Sequence, residues 1–127
     1  MIKLTNPKVA HADAVISLAK RLLKESQRLL NELSQSHPDK SAFDDLIYKV
    51  QFHVVILHKM LQDEYEMITS EISRVSVNAA PGSMQNEVEL QSLKEKTVRL
   101  LELVYLTEQQ RSMTLQTNVG HALSLKL

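Results

Sequence analysis

Apolar side chains recur at steps of three and four along residues 43–75, a stretch that contains neither Gly nor Pro. This spacing places them on one face of an α-helix and approaches the heptad repeat of coiled coils. Glu64 is the one interruption. Ser41, with Asp44 three residues later, is a capping-box signal for the start of the helix. The pattern predicts a helix over 41–76 with a core stripe of Phe43, Leu46, Ile47, Val50, Val54, Leu57, Leu61, Ile68, Ile72 and Val75.

Residues 47–57 also allow a second interpretation. Tyr48, Val50, Phe52, Val54 and Ile56 alternate as the residues on one face of a β-strand do, and several of them are β-branched or aromatic. The helical stripe extends well beyond this segment on both sides. We therefore favour the helix over the strand.

A first helix is predicted over 7–35. Asn6 is a favoured N-cap, and Pro7 suits the first helical turn because its missing N–H would be unpaired there. The helix should end before His37-Pro38, since a residue that precedes proline avoids helical geometry. The apolar stripe consists of Val15, Leu18, Ala19, Leu22, Leu23, Ser26, Leu29, Leu30 and Leu33.

A third helix is predicted over 84–118, after a loop at 76–83 that contains Pro81-Gly82. Its stripe is Leu90, Leu93, Thr97, Leu100, Leu101, Val104 and, less regularly, Leu115. Gly120 is a plausible stop signal. The remaining tail, 119–127, alternates apolar and polar residues, and a short strand, a packed extension, a docking peptide or a hairpin over 113–127 all stay open.

The fold class that follows is all-α. A sheet-rich fold needs many turns, and 2 glycines and 3 prolines in 127 residues are too few for them. Short connections make consecutive helices antiparallel neighbours. We expect one domain over 1–127, an antiparallel up-down-up bundle of three long helices that dimerisation could complete.

The second and third helices carry more apolar surface than one core stripe requires. Tyr48, Phe52 and Val55 lie roughly opposite Val50, with Ile56 between the two faces. Leu103 and Leu106 point away from the stripe of the third helix. A hairpin centred near 79–80 would place position 54 beside about 105, so we predict an apolar belt formed by Tyr48, Phe52, Val55, Ile56, Leu103 and Leu106. Such a surface marks an interface with another helix or a second copy. The alternatives are that the tail covers it or that its residues are the scattered apolar side chains that protein surfaces normally expose.

The sequence contains no recognisable motif for catalysis. The chain has no Cys, and two glycines cannot form the Gly-rich motifs of nucleotide-binding or nucleophile-elbow sites. His53 and His58 are five apart, which is not a spacing for shared metal ligation on a helix. His58 is the one candidate for phosphotransfer chemistry. Glu64 could pair with Arg111, pair with a base on the first helix, or mark a shift in the register of the stripe. We expect no enzymatic activity, no cofactor, no bound metal and no small-molecule substrate.

Charge defines a further candidate surface. Lys20, Arg21, Lys24 and Arg28 form a basic face that could contact an acidic partner, although Glu25 and Glu32 can neutralise part of it. The formal net charge is zero, which disfavours general nucleic-acid binding. No apolar run resembles a signal peptide or a membrane span, so we expect a cytoplasmic protein or one that is delivered by a route without an N-terminal signal.

The function that these observations favour is a non-enzymatic protein-interaction module, such as a small helical adaptor, regulator or export-type chaperone, that acts through the apolar belt. A structural subunit of a larger assembly is the first alternative. A phosphotransfer module that uses His58 is the second.

Overall fold

The computed structural model describes the backbone of residues 6–35, 40–78 and 84–126 and the side chains of residues 6–32, 43–77 and 86–116. It consists of helices α1 (Pro7–Gln35), α2 (Lys40–Asn78) and α3 (Met84–Lys126). The predicted all-α fold of three long helices is confirmed. No strand occurs within these ranges, so the strand interpretation of 47–57 is wrong. The helical stripe on both sides of that segment outweighs its β-branched composition.

Contacts between the helices establish an up-down-up arrangement. The Asn6 side chain, at the start of α1, donates hydrogen bonds to Glu71 near the end of α2 and to Glu89 near the start of α3. Towards the other end, Gln110 of α3 donates to the backbone carbonyl of Leu23 in α1. α1 and α3 therefore run parallel to each other, and α2 runs antiparallel to both, as the short connections predicted.

The start of α1 agrees with the sequence signals. Pro7 is the first helical residue, and Asn6 Oδ1 accepts a hydrogen bond of 2.9 Å from the backbone N–H of Lys8. The Asn6 carbonyl also accepts from the N–H of Val9 at 3.0 Å. Asn6 is thus the N-cap that the sequence predicts, and it satisfies donors that a helix start leaves unpaired.

Two other helix ends differ from the prediction. α2 begins at Lys40, so Ser41 lies inside the helix and is not its N-cap. α3 continues to Lys126, past the predicted end at 118 and through Gly120, so the strand and hairpin alternatives for the tail are wrong. Glycine costs a helix about 1 kcal/mol but does not break it, and the residues after Gly120 include no proline. His37-Pro38, Pro81-Gly82 and the side chains of Leu33 and of 119–127 lie outside the described residues.

The core follows heptad spacing. In α2 every position at alternating steps of four and three is buried, namely Phe43, Ile47, Val50, Val54, Leu57, Leu61, Glu64, Ile68, Glu71 and Val75. In α1 the buried series is Val9, Ala12, Ile16, Ala19, Leu23, Ser26 and Leu30. Leu18, predicted to be in the core, is exposed. Val15 and Leu22 flank the core and are partly buried.

The core face of α3 changes character along its length. Leu93, Leu100 and Leu103 are buried in a large apolar cluster to which all three helices contribute. The heptad then continues with the buried polar residues Thr107, Gln110 and Thr114. A second apolar cluster joins the end of α1 to the start of α2, and among the described side chains it contains none from α3. The two halves of the bundle therefore differ in how α3 is held.

Candidate interaction site

Four large apolar side chains stand on the outer face of α2, and we call them the α2 patch. Tyr48, Phe52, Val55 and Ile56 have 68%, 53%, 66% and 42% of their surface exposed. They occupy successive turns opposite the buried heptad series, because that series already fills the inward face. The rings of Tyr48 and Phe52 are stacked at a centroid distance of 6.4 Å. The sequence predicted the outward position of Tyr48, Phe52 and Val55 and placed Ile56 between the two faces.

A second apolar surface, the α3 patch, lies on the outer side of α3. Val98, Leu101, Tyr105 and Leu106 are exposed there and line a shallow depression together with Glu102. Leu106 was predicted to be on the outer surface and is. Val98 and Tyr105 were not identified from the sequence, although they are one heptad apart on the face opposite the core.

The prediction for Leu103 is wrong. It was predicted to belong to the outer belt, but it is 4% exposed and lies in the main core cluster. The heptad of α3 passes through Leu100, Leu103 and Thr107, so Leu103 faces inward. The sequence stripe instead assigned Leu101 to the core, and Leu101 is exposed. Because polar residues continue this heptad, the spacing of apolar residues alone does not show which face of α3 points inward.

The prediction of a single continuous apolar belt across the second and third helices is also wrong. His58 Nδ1 lies 3.3 Å from Glu108 Oε1, so position 54 lies nearer to 112 than to 105. Gln51 and Val55 accordingly line one groove with Arg111 and Leu115. The α2 patch is level with the part of α3 that follows residue 110. The two patches are therefore separate surfaces at different heights on the bundle.

The groove between α2 and α3 contains His58, the candidate for phosphotransfer. It has a volume of about 600 Å³, and its lining also includes Val54, Lys59 and Thr114. Each cation in it already has an acidic neighbour: Lys59 pairs with Asp63 at 3.4 Å and Arg111 with Glu108 at 3.6 Å. The same Glu108 approaches the His58 ring, although the buried His58 Nδ1 makes no hydrogen bond within the described part of the structure. This arrangement resembles the ionic edge of a helix pair.

The basic face of α1 is exposed at all four positions. Arg28 is paired with Glu25 and Glu32 on its own helix, as the spacing predicted. The hydrogen bond from Arg28 lowers the pKa of Glu25. Within the described part of the chain no ion pair includes Lys20, Arg21 or Lys24. These three cations remain a candidate contact for an acidic partner.

Two buried carboxylates occupy heptad positions of α2. Glu64 is 2% exposed and accepts from His11 Nδ1 of α1, with distances of 2.8 and 3.0 Å to its two oxygens. Of the alternatives for Glu64, the structure shows the pairing with a base on the first helix, and Arg111 instead pairs with Glu108. The sequence did not identify Glu71. Hydrogen bonds from Arg74 and then Asn6 lower the pKa of this carboxyl from 4.5 to about 2.

Among the side chains that the structure describes, no three His, Asp or Glu residues converge to hold a metal ion. Within the same ranges, no helix combines the length and the apolar character needed to cross a lipid bilayer. Comparisons with known protein families, with curated proteins and with solved structures gave no match.

Proposed function

We propose that this chain is a non-enzymatic protein-interaction module that binds its partner through the α2 patch. The observation that carries the proposal is the exposure of four large apolar side chains on consecutive turns of one helix. Contiguous apolar patches on a protein surface often mark interaction sites. Two of these side chains are stacked aromatics, the residue class that most often anchors interfaces.

The shape of the patch favours a helical partner. Its residues follow the spacing i, i+4 and i+7 or i+8 along a helix. A second helix packs against such a ridge by placing its own side chains between successive turns. The mechanism is therefore helix-on-helix burial, with Phe52 at the centre of the contact.

The α3 patch favours a second candidate function, that of a structural subunit in a larger assembly. Val98, Leu101, Tyr105 and Leu106 lie on a different helix and at a different height from the α2 patch. A subunit that joins two neighbours needs two such surfaces. The adaptor and the subunit differ in whether one or both patches are occupied in the cell.

Site-specific photo-cross-linking in cells that express the chain tests these functions. A photoreactive phenylalanine analogue replaces Phe52, Tyr105 or, as a matched control, Ser73, which is exposed three heptads further along the same face of α2. We expect covalent adducts from position 52 that disappear when Ile56→Asp is added. Adducts from positions 52 and 105 with different proteins would favour the structural subunit. No adduct from position 52, or the same adducts from position 73, would contradict the proposal.

A further inference from the structure

We infer that the occupant of the α2 patch is a second copy of this chain, paired antiparallel about a two-fold axis that passes beside Phe52. This inference rests on the proposed function and names the partner of the same surface. Its basis is that the outer face of α2 has a self-complementary order of apolar and charged residues.

The order is complementary about Phe52 at two spacings. Tyr48 and Ile56 lie four residues on either side, and Asp45 and Lys59 lie seven residues on either side. At three residues on either side, the exposed Lys49 stands opposite Val55. In an antiparallel pair centred on Phe52, Tyr48 would face the partner's Ile56 and Asp45 would face the partner's Lys59. The same contacts form twice because a two-fold interface uses one surface on both subunits. The contact thus has an apolar centre and an oppositely charged pair at each end.

The two charges at the ends are accessible for this pairing. Asp45 is exposed and takes part in no ion pair between described residues. Lys59 has only Asp63 of its own helix, at 3.4 Å, and both side chains are mostly exposed. An exposed pair of that kind contributes little stability, so Lys59 can exchange it for the partner's Asp45.

Charge also selects against other arrangements. A parallel pair would place Asp45 against Asp45 and Lys59 against Lys59, and both contacts would repel. The α3 patch lacks the same complementarity, since a two-fold axis between Leu101 and Glu102 would place Glu95 opposite Glu108. The α2 patch is therefore the surface that fits a second copy.

The contact involves one helix from each copy and is small. Interfaces at the low end of the specific range bind weakly, so we expect a dissociation constant on the order of micromolar. The pairing is closed by its symmetry and should stop at the dimer.

Charge reversal measured by sedimentation velocity across the micromolar range tests the inference. Asp45→Lys and Lys59→Asp should each weaken dimerisation roughly tenfold, because each change creates two repulsive contacts across the axis. The double variant should dimerise as the wild type does. An equimolar mixture of the two single variants should also dimerise, because both contacts of the mixed dimer join opposite charges.

Circular dichroism establishes that each variant remains helical. Glu66→Lys, which changes an exposed charge on the same face one heptad beyond Lys59, should leave dimerisation unchanged. A wild type that stays monomeric, or a mixture that associates no better than its components, would overturn the inference. If the wild type is monomeric and position 52 still cross-links to another protein, the proposed function stands and the second copy is excluded.

Discussion

Asn6 uses both ends of its side-chain amide. Its Oδ1 caps α1, and its Nδ2 donates to Glu71 at 2.8 Å and to Glu89 at 2.5 Å. One residue therefore starts a helix and fixes its position against the two others. The cap was predictable from the sequence, because Asn before Pro is a local signal. The carboxylate partners were not predictable, because they lie 65 and 83 residues away.

Asn6→Asp separates these two roles. Aspartate caps a helix as well as asparagine does, but it cannot donate to Glu71 and Glu89 and it adds a third negative charge. We expect the free energy of unfolding at neutral pH to fall by about 1–3 kcal/mol. Asn6→Ser, which keeps a cap without the charge, should lose less. Urea unfolding measures both, and an aspartate variant as stable as the wild type would show that the amide contacts contribute nothing.

Glu71 gives the bundle a defined response to acid. Hydrogen bonds from Arg74 and Asn6 hold the pKa of Glu71 at about 2, below its ordinary value of 4.5. A depressed pKa means that the stabilisation is complete above about pH 4.5 and is lost as the pH falls towards 2. Between pH 4.5 and 2, the free energy of unfolding should therefore fall more steeply with decreasing pH for the wild type than for Glu71→Gln. Glu66→Gln, at an exposed site, is the control and should keep the wild-type slope. Equal slopes for all three proteins would contradict the assignment.

At the scale of elements, α3 is the helix whose core face the sequence describes least well. Its buried series changes from leucines to Thr107, Gln110 and Thr114. The two threonine hydroxyls donate to carbonyls four residues earlier, at 2.8 and 2.7 Å. Apolar periodicity depends on apolar residues, so it cannot predict the buried face of α3 where the heptad positions become polar. The incorrect prediction that Leu103 lies on the outer surface had the same cause.

Thr107→Val tests whether this polar run weakens the attachment of α3. The Thr107 hydroxyl is buried and bonds only to a carbonyl of its own helix, so a methyl group should raise the free energy of unfolding by about 1 kcal/mol. Thr69→Val is the control, since the Thr69 hydroxyl also donates to a carbonyl of its own helix, three residues earlier, but is less buried, so its replacement should change stability less. Amide hydrogen exchange should be faster at 107–116 than at 93–103 in the wild type and should slow in the valine variant. Destabilisation by Thr107→Val would contradict this view of α3.

At the scale of the whole molecule, periodicity and turn residues were enough to predict three helices and their order. The relative heights of the helices were not predictable in this way. They become visible only in contacts between helices, such as the pairing of His11 with Glu64 and the 3.3 Å approach of His58 Nδ1 to Glu108 Oε1. A shift in height moves surfaces without changing any single helix. The difference in height separates Leu106 from the four predicted interface residues on α2, whereas Leu103 lies in the core because of the face of α3 that it occupies.

The central claim is that the outer face of α2 is a binding surface that a second copy occupies. The most direct test compares two-dimensional amide NMR spectra of the wild type at low and high protein concentration. We predict concentration-dependent shifts at residues 45–59, none at 98–106, and their loss in Phe52→Asp with the helical signature retained. A spectrum that does not change with concentration, or shifts that fall on 98–106 instead, would contradict the claim.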